Sequence, residues 1–251
     1  MWRPSDPKCD WLTSVAIAHR GLHDVRHGVE ENSLPAFEAA IEHGYAIETD
    51  VQLSSDGEAM VFHDHTLDRL TNQTGPVSDF TAAQLARFAY ANGTGTIPTL
   101  GELLDVVAGR TGLIIEIKSG WSGDTRLVQR TVQCLAGYAG PVAVMSFDPV
   151  QVAWLAQHAP GIVRGMVADG APQHEYGFLP LSARLSLREF RHADATRPDF
   201  LSLDKHWLPS PVSRTYRNRH MPVICWTIRS EQEASHALRW CDQITFEGYL
   251  P

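Results

Sequence analysis

The chain contains 251 residues, a length that suits one large α/β domain or two small ones. Hydrophobic residues make up 43% of the sequence and charged residues 20%, which is the composition of an ordinary soluble globular protein. The formal net charge of -8 argues against nucleic acid or an anionic membrane as a partner held by bulk charge, while a local positive pocket remains compatible with it.

The four cysteines and the apolar runs exclude further classes. No cysteine pair has C-x-x-C spacing, which argues against a zinc site, and Cys134 and Cys225 lie in apolar runs that predict buried thiols. Residues 1–8 lack the apolar region of a signal peptide. No apolar run approaches the roughly 18 residues of a membrane span. We therefore expect a cytoplasmic protein without an integral membrane segment.

The predicted elements begin after a polar lead-in at residues 1–13. The apolar run 15–18 predicts a buried strand whose C-terminal end carries polar residues. Asn32 or Ser33 then caps a helix, with Pro35 in its first turn and Gly44 at its end.

A hairpin follows, with strands at 46–51 and 59–62 joined through Asp56 and Gly57. Helices are then predicted at 80–85 and 98–107, while residues 170–195 are ambiguous apart from a helix near 186–192. The remaining predicted strands are at 113–117, 142–145, 162–167, 200–203, 222–226 and 243–246. The remaining predicted helices are at 124–138, at 210–219 and at 230–239, with one more that ends at about residue 158.

These elements predict the fold class. About eight apolar strands, most of them separated by helical patterns, indicate parallel βαβ units. Eight units in about 250 residues match an α/β (β/α)8 TIM-type barrel. The alternative is an open doubly wound sheet, against which no glycine-rich phosphate loop follows the first strand. No linker divides the chain, so a single domain over 1–251 is predicted.

The strand at 46–51 carries two carboxylates. Glu48 and Asp50 point to the same side because strand side chains alternate with period two. Neighbouring carboxylates repel each other and are costly to desolvate, and a hard divalent cation with several oxygen ligands removes both problems. The alternative is an edge strand with a solvated acidic face.

Other polar residues gather at predicted strand ends, where barrels of this class place their active sites. Taken singly, a histidine there can be structural, Glu116 and Lys118 can form an internal ion pair, and Trp226 can be core. Together, the side chains at the strand ends indicate a functional site, because a protein core gains no stability from so much buried charge. The residues at the strand ends are His19, Arg20, Glu48, Asp50, His63, Asp64, Glu116, Lys118, Ser146, Asp204, Lys205, Trp226 and Glu247.

A set of short motifs identifies a family. The chain contains, in this order, the motifs His19-Arg20-Gly21, Glu31-Asn32-Ser33, Glu48-Thr49-Asp50-Val51, Asp56-Gly57, Phe62-His63-Asp64, Pro98-Thr99-Leu100, Ile115-Glu116-Ile117-Lys118, Ser146-Phe147 and Trp226-Thr227. In these motifs and in their order, the sequence resembles the glycerophosphodiester phosphodiesterases. Any one of them occurs by chance, whereas the ordered set is highly specific.

The resemblance implies a TIM-type barrel with a small insertion after the hairpin, at about 65–98. It also implies one divalent ion, Mg²⁺ or Ca²⁺, held by Glu48, Asp50 and Glu116. The two catalytic histidines of the family fall on His19 and His63.

Further site residues follow from the same resemblance. Arg20 matches the phosphate-contacting arginine, Lys118 a basic residue beside the phosphate, and Trp226 a family motif position on the substrate side. Glu31 and Asn32 are predicted to support the metal shell or the arginine, although Asn32 or Ser33 as a plain helix cap is an equal alternative.

The expected reaction is metal-dependent hydrolysis of glycerophosphodiesters to glycerol 3-phosphate and an alcohol. His19 is assigned as general acid and His63 as general base, without the sequence fixing the direction. The attacking group is water or a neighbouring glycerol hydroxyl. The expected partner is a small phosphodiester, and a homo-oligomer stays open.

Two alternatives use the same residues. One is a lysophospholipase D with an apolar groove, for which Trp121 and Trp207 are the more informative candidates. The other is a barrel that binds phosphate esters without turnover. One departure from the family concerns the last strand, where Phe246 occupies the usual Asp position and Asp204 and Glu247 are candidate substitutes.

Overall fold

A computed structural model of the protein describes residues 7–251, which fall into two compact units. One unit comprises residues 17–144, and the other comprises residues 145–251 with the N-terminal segment up to residue 16. The part of the predicted lead-in at 1–6 lies outside the described residues. The extent of a single domain over 1–251 stays a prediction.

Strands and helices alternate along the described chain. The strands are β1 Ile17–Ala18, β2 Ala46–Leu53, β3 Ala59–Val61, β4 Leu113–Ile117, β5 Val142–Ser146, β6 Val163–Ala168, β7 Phe200–Asp204, β8 Val223–Ile228 and β9 Gln243–Phe246. The α-helices are α1 Leu34–Glu42, α2 Ala82–Leu85, α3 Leu100–Val107, α4 Arg126–Cys134, α5 Pro149–His158, α6 Gln173–Tyr176, α7 Leu181–Arg188, α8 Ala193–Thr196, α9 Pro211–Arg217 and α10 Glu231–Ala237. Short 3-10 helices span Pro7–Thr13, Val25–His27, Val77–Asp79 and Lys205–Trp207.

Strands joined through helices pair in parallel within each unit. In the first unit β2 pairs in parallel with β1 and β4, and antiparallel with β3. In the second unit β6 pairs with β7, β7 with β8 and β8 with β9, all in parallel. Parallel βαβ units of this kind confirm the predicted (β/α)8 TIM-type fold class.

Strand β2 is buried along its whole length except at its last residue, Leu53. It has strand neighbours on both sides, so its amide groups bond to β1, β3 and β4. The alternative of an edge strand with a solvated acidic face is therefore wrong. Glu48 and Asp50 are only 2% and 1% exposed.

Local sequence signals set the helix starts near the site. The Ser33 hydroxyl accepts a hydrogen bond from the Ala36 amide and caps α1, whose Pro35 lies in the first turn. Thr99 and Glu102 form a capping box at the start of α3. The helix cap predicted at Asn32 or Ser33 is thus Ser33, which leaves Asn32 for another role.

The predicted insertion at 65–98 has a small apolar core of its own. Six of its side chains pack against Met60, which lies in β3, and against Phe62, which directly follows β3. They are Leu67, Leu70, Val77, Leu85, Tyr90 and Ile97. A packed core of this kind fixes the insertion as a folded element beside β3, and its polar side chains therefore have defined positions.

Several predicted boundaries differ from the structure. The first strand is shorter than predicted, because Val15 is 37% exposed and only Ile17 and Ala18 join the sheet. The helix predicted near 186–192 is displaced, since it overlaps α7 only in its first three residues. Instead α7 starts directly after Pro180 and ends at Arg188, and Phe190 at φ 54° is incompatible with a continuing helix.

The four cysteines lie within the described residues as reduced thiols. Cys225 is buried, as predicted, whereas Cys134 is only half-buried because it lies on the last turn of α4. No described helix is long and apolar enough to cross a membrane.

Replacement of Gly165 by alanine tests the packing between β6 and β7. Gly165 faces Phe200 in the parallel register, and a Cβ there would lie 2.3 Å from the Phe200 ring. We expect Gly165→Ala to lower the free energy of unfolding by about 1 to 3 kcal/mol, as overpacked cores do, measured by urea denaturation. Gly101→Ala is the control, because a Cβ added at Gly101 would lie 3.8 Å from Thr99 Oγ1, an ordinary contact, and stability should not fall. Wild-type stability of Gly165→Ala would contradict this packing.

Candidate active site

The acidic cluster is built by two neighbouring strands. Asp50 of β2 faces Glu116 of β4 directly in the parallel register, and Glu48 lies two residues before Asp50 on the same side. Ligand oxygens of the three carboxylates all lie within 4.8 Å of one another, and each residue is buried. The structure thus brings together the three residues for which the sequence predicted a shared site.

Burial and mutual repulsion disturb the protonation of this cluster. Burial, together with the charges of Asp50 and Glu116, raises the pKa of Glu48 well above its usual range. Burial also raises the pKa of Glu116, with Lys118 opposing it. The pKa of Asp50 is lowered, because the charges of Lys118 and Arg20 and the hydrogen bond from Asn32 outweigh the effect of burial. Burial and mutual repulsion thus oppose the ionisation of Glu48 and Glu116, and further positive charge beside these two groups would favour it.

Lys118 supplies part of the compensating charge. Its ammonium Nζ lies 2.9 Å from Asp50 Oδ1 and 2.8 Å from Glu116 Oε1. These two carboxylates raise the pKa of Lys118 despite its burial, so the side chain stays protonated at neutral pH. Glu116 and Lys118 do form the internal ion pair that the sequence left open, and they form it inside the acidic cluster.

Arg20 follows β1 and reaches the same cluster. Its backbone N–H donates to Glu48 Oε2 at 3.1 Å, and its guanidinium Nη1 donates to Glu31 Oε1 at 2.6 Å. Its Nε lies 3.5 Å from Asp50 Oδ2 and is buried without a hydrogen-bond partner within residues 7–251. A buried donor of this kind is commonly satisfied by a ligand or water.

Asn32 connects the loop before α1 to β2. Its amide Nδ2 donates to Asp50 Oδ2 at 2.9 Å, and its Oδ1 accepts from the Thr49 hydroxyl at 2.7 Å. Its backbone lies at φ 54°, a conformation that asparagine tolerates better than most residues. The Tyr90 hydroxyl, from the insertion, donates to the Asn32 carbonyl at 3.2 Å. Asn32 thus orients Asp50 and is not the helix cap.

The two predicted histidines lie at the ends of β1 and β3. His19 follows Ala18, which pairs with Ile47, so its Nε2 lies 3.9 Å from Glu48 Oε2. His63 Nδ1 lies 2.7 Å from Asp64 Oδ1. Hydrogen bonds from Arg69 and His63 lower the pKa of Asp64 to about 2, so Asp64 is ionised and His63 Nδ1 is the donor.

This hydrogen bond and burial prepare His63 for one role. Because Nδ1–H faces Asp64, the proton-accepting position of the neutral ring is Nε2. Burial lowers the pKa of His63, and the nearby positive charges of Lys118 and Arg20 add to this effect while Asp50 opposes it. The neutral ring therefore predominates at pH 7 and can accept a proton.

Sequence reasoning missed Arg69, which lies in the insertion. Its guanidinium donates to both Glu31 and Asp64, and so contacts the partners of Arg20 and His63. The only available signal was its position five residues after Asp64, which also fits an ordinary surface arginine.

The remaining predicted residues lie in the unit of residues 145–251. Trp226 packs edge-on against Phe147, with ring centroids 5.6 Å apart, and its indole Nε1 is buried without a hydrogen-bond partner in the described chain. Phe246 is buried and packs against Tyr249. Asp204 caps the next 3-10 helix and Glu247 pairs with Arg229, so both candidate substitutes have other partners.

Comparison with known proteins decides the family. The sequence profile of the glycerophosphoryl diester phosphodiesterase family matches residues 19–248. The chain belongs to this family. As a member of the glycerophosphoryl diester phosphodiesterase family, it is a phosphoric diester hydrolase, as the motifs predicted.

Individual relatives agree with this assignment. A glycerophosphodiester phosphodiesterase of Caldanaerobacter subterraneus is 33% identical over 166 residues, which cover 62% of this chain and 67% of that protein. A putative glycerophosphodiester phosphodiesterase of Bacillus subtilis is 25% identical over 228 residues, covering 87% and 88% of the two chains. The structure of an Oleispira antarctica phosphodiesterase in complex with the product sn-glycerol-3-phosphate superposes with a TM-score of 0.79 at 23% identity, over 94% of this chain and 93% of that one. At this identity the structural match supports the fold.

Replacement of Asn32 distinguishes its site role from a capping role. Asn32→Ala leaves the Thr49 hydroxyl and Asp50 without their partner, and it places alanine at φ 54°. We expect the free energy of unfolding to fall by about 1 to 3 kcal/mol, measured by urea denaturation. Asn32→Gly should lose less, because glycine accepts this backbone conformation. Wild-type stability of Asn32→Ala would contradict the assigned contacts.

Proposed function

We propose that this protein hydrolyses glycerophosphodiesters to glycerol 3-phosphate and an alcohol, with a divalent cation held by Glu48, Asp50 and Glu116. The observation that carries the proposal is the convergence of three buried carboxylates within 4.8 Å, beside Arg20 and within the electrostatic reach of His63. The family assignment supports the reaction class. The Oleispira antarctica phosphodiesterase binds sn-glycerol-3-phosphate as its product, and we propose the same product here.

The donor set fits a hard divalent cation. All three candidate ligands offer carboxylate oxygens, which Mg²⁺ and Ca²⁺ prefer. Burial, together with the charges of neighbouring carboxylates, raises the pKa of Glu48 and of Glu116, and a bound cation would favour the ionised form of both. When bound, the cation would polarise a phosphoryl oxygen and stabilise the charge that develops in the transition state.

Arg20 and Lys118 provide the positive charge that binds the phosphodiester. The planar guanidinium of Arg20 suits two phosphate oxygens at once, and its unpaired Nε is one donor available for this contact. The Lys118 ammonium lies beside Asp50 and adds a second positive group next to the proposed cation. The role of Trp226 in substrate binding stays a prediction from the family motif, since this residue lies in the other compact unit.

His63 and His19 transfer the protons. His63 Nε2 accepts a proton from the attacking group, which is either water or the neighbouring hydroxyl of the glycerol. Attack by the hydroxyl expels the alcohol and gives a cyclic phosphate, which water then opens to glycerol 3-phosphate. Asp64 holds the ring in the required tautomer and stabilises the imidazolium that forms. His19 donates a proton to the leaving alkoxide. Each step of this kind contributes about 10² to 10⁴ to the rate.

A parallel assay separates this function from its alternatives. Purified protein is incubated with glycerophosphocholine and, separately, with a long-chain lysophosphatidylcholine, and the phosphate products are quantified. We expect glycerol 3-phosphate release from the first substrate to dominate. Faster release of lysophosphatidic acid from the second would favour the lysophospholipase D alternative, and no product from either would favour binding without turnover. The cytoplasmic location and the assembly state stay predictions.

Removal of divalent cations tests the proposed cofactor. We expect EDTA to abolish release of glycerol 3-phosphate and Mg²⁺ or Ca²⁺ to restore it. The cation should also stabilise the fold by about 2.7 kcal/mol at a hundred times its Kd, measured as a rise in Tm. Glu116→Gln should lose most of this stabilisation, whereas Glu38→Gln, an exposed carboxylate paired with Arg110, should keep it. Full activity in EDTA would contradict the proposal.

Replacement of His63 tests the proposed base. We expect His63→Ala to lower kcat by about 10² to 10⁴ while leaving Tm close to that of the wild type, since the ring is partly exposed and fills no core position. His43→Ala serves as the control, because His43 is exposed at the end of α1 in the same unit. Hydrolysis by His63→Ala at the wild-type rate would show that the assigned role is wrong.

A further inference from the structure

The insertion contributes one arginine to the surroundings of the acidic cluster. Arg69 lies beside two carboxylates, Glu31 and Asp64, that are separated from it by 38 and 5 residues along the chain. Glu31 also binds Arg20, and Asp64 also binds His63. Arg69 therefore occupies the centre of a continuous run of hydrogen bonds, from Arg20 through Glu31, Arg69 and Asp64 to His63. We call this run the bridge.

The contacts of Arg69 use both edges of its guanidinium. Nη1 and Nη2 donate to Glu31 Oε2 and Oε1, both at 2.8 Å. Nε and Nη2 donate to Asp64 Oδ2 and Oδ1, at 2.7 and 2.8 Å. Four of the five N–H donors of the side chain are thus engaged in two bidentate pairs. A lysine ammonium, which is a point charge on a flexible stem, has no matching geometry.

The charges of the bridge alternate and support each other. Burial alone would raise the pKa of Glu31, but hydrogen bonds from Arg69 and Arg20 lower it. Asp64 is ionised for the same reason, because Arg69 donates to it. Both carboxylates therefore remain acceptors, with Arg69 between them. Without Arg69, Glu31 would keep its bond to Arg20 and Asp64 its bond to His63, but no side chain would connect the two carboxylates.

The exposure of Arg69 indicates what the bridge does. The Arg69 side chain is 47% exposed, whereas Glu31 is 10% and Asp64 is 23% exposed. A single exposed ion pair contributes little stability, whereas bidentate pairs joined in a network hold their members in one geometry. The bridge ends on Arg20 and His63, so the groups whose positions it fixes are those two side chains.

We propose that Arg69 is a positioning residue, which fixes the guanidinium of Arg20 and the imidazole of His63 relative to each other through Glu31 and Asp64. This inference rests on the proposed function for the roles of the two end groups. It assigns to the insertion a part in the reaction, because the apolar core of the insertion holds the Arg69 backbone. A misplacement of about 1 Å at a reacting group lowers rates by about 10².

The experiment compares Arg69→Ala with a matched control. Arg130→Ala is the control, because Arg130 forms a bidentate pair with Glu58 at 2.9 and 2.8 Å and is 37% exposed, in the same unit but outside the bridge. For each protein, kcat and KM are measured with glycerophosphocholine, with and without added dilute guanidinium. Arg69→Lys is included because it keeps the charge and loses the two-edged geometry.

We expect Arg69→Ala to lower kcat by about 10² and to raise KM, since His63 and Arg20 are both released. Guanidinium should restore part of the kcat of Arg69→Ala and leave Arg130→Ala unchanged. Arg69→Lys should fold and remain well below the wild-type kcat, which tests the inference even where Arg69→Ala fails to fold. Wild-type kcat and KM in Arg69→Lys, or in a folded Arg69→Ala, would overturn it.

A second measurement does not depend on turnover. The ring nitrogen NMR shifts of His63, assigned by comparison with His63→Ala, report which nitrogen carries the proton. In the wild type we expect the Nδ1–H tautomer, and in Arg69→Ala a mixture of tautomers. If the wild type hydrolyses nothing but its His63 tautomer still depends on Arg69, then the proposed function fails and the positioning role stands. Identical His63 shifts in both proteins would overturn the positioning role itself.

Discussion

Three carboxyl groups buried within 4.8 Å of one another impose the main electrostatic constraint on this protein. The register of β2 and β4 holds Glu48, Asp50 and Glu116 in place, so these carboxyl groups cannot move apart without a change in the strand pairing. Their repulsion is offset within the chain by Lys118 and by Arg20, and both basic side chains have direct contacts with Asp50. The same arrangement suits two ligands, because the carboxylates can bind a cation and the basic side chains can bind an anionic ester.

The surrounding elements supply fixed directions to the reactive groups. β1 places His19 beside Glu48, and the hairpin after β2 returns the chain so that the Phe62 amide donates to the Asp50 carbonyl, one residue before His63. The insertion then encloses this region through Tyr90 and Arg69, which bind the Asn32 carbonyl and the two carboxylates of the bridge. Preorganised groups of this kind avoid reorganisation during the reaction, and electrostatic stabilisation is usually the largest contribution to catalysis.

Part of this site could be predicted from the sequence, because side chains alternate along a strand and Glu48 and Asp50 therefore lie on the same side. Active sites of TIM-type barrels lie at the C-terminal ends of the strands, which placed His19, His63 and Glu116 near these two carboxylates. The sequence did not determine that Asp50 and Glu116 lie opposite each other, because register between strands 66 residues apart depends on tertiary packing. It also left Asn32 between two roles, which the positive φ and the hydrogen bond to Asp50 resolve.

Two of the failures concern contacts that are distant in sequence or backbone conformations that are rare. Arg69 looked like a surface residue because its partner Glu31 lies 38 positions earlier. The helix near 186–192 was misplaced because nothing in the local pattern required a left-handed conformation at Phe190. Cys134 is a separate case, because it was predicted buried from its apolar neighbours although its side chain, in the last turn of α4, is only half-buried.

The most direct test of the central claim is a crystal structure of the protein grown with Ca²⁺. We expect one ion peak with carboxylate oxygens of Glu48, Asp50 and Glu116 at about 2.3 to 2.6 Å. An ion bound elsewhere, with these three carboxylates compensated only by Lys118 and Arg20, would contradict it.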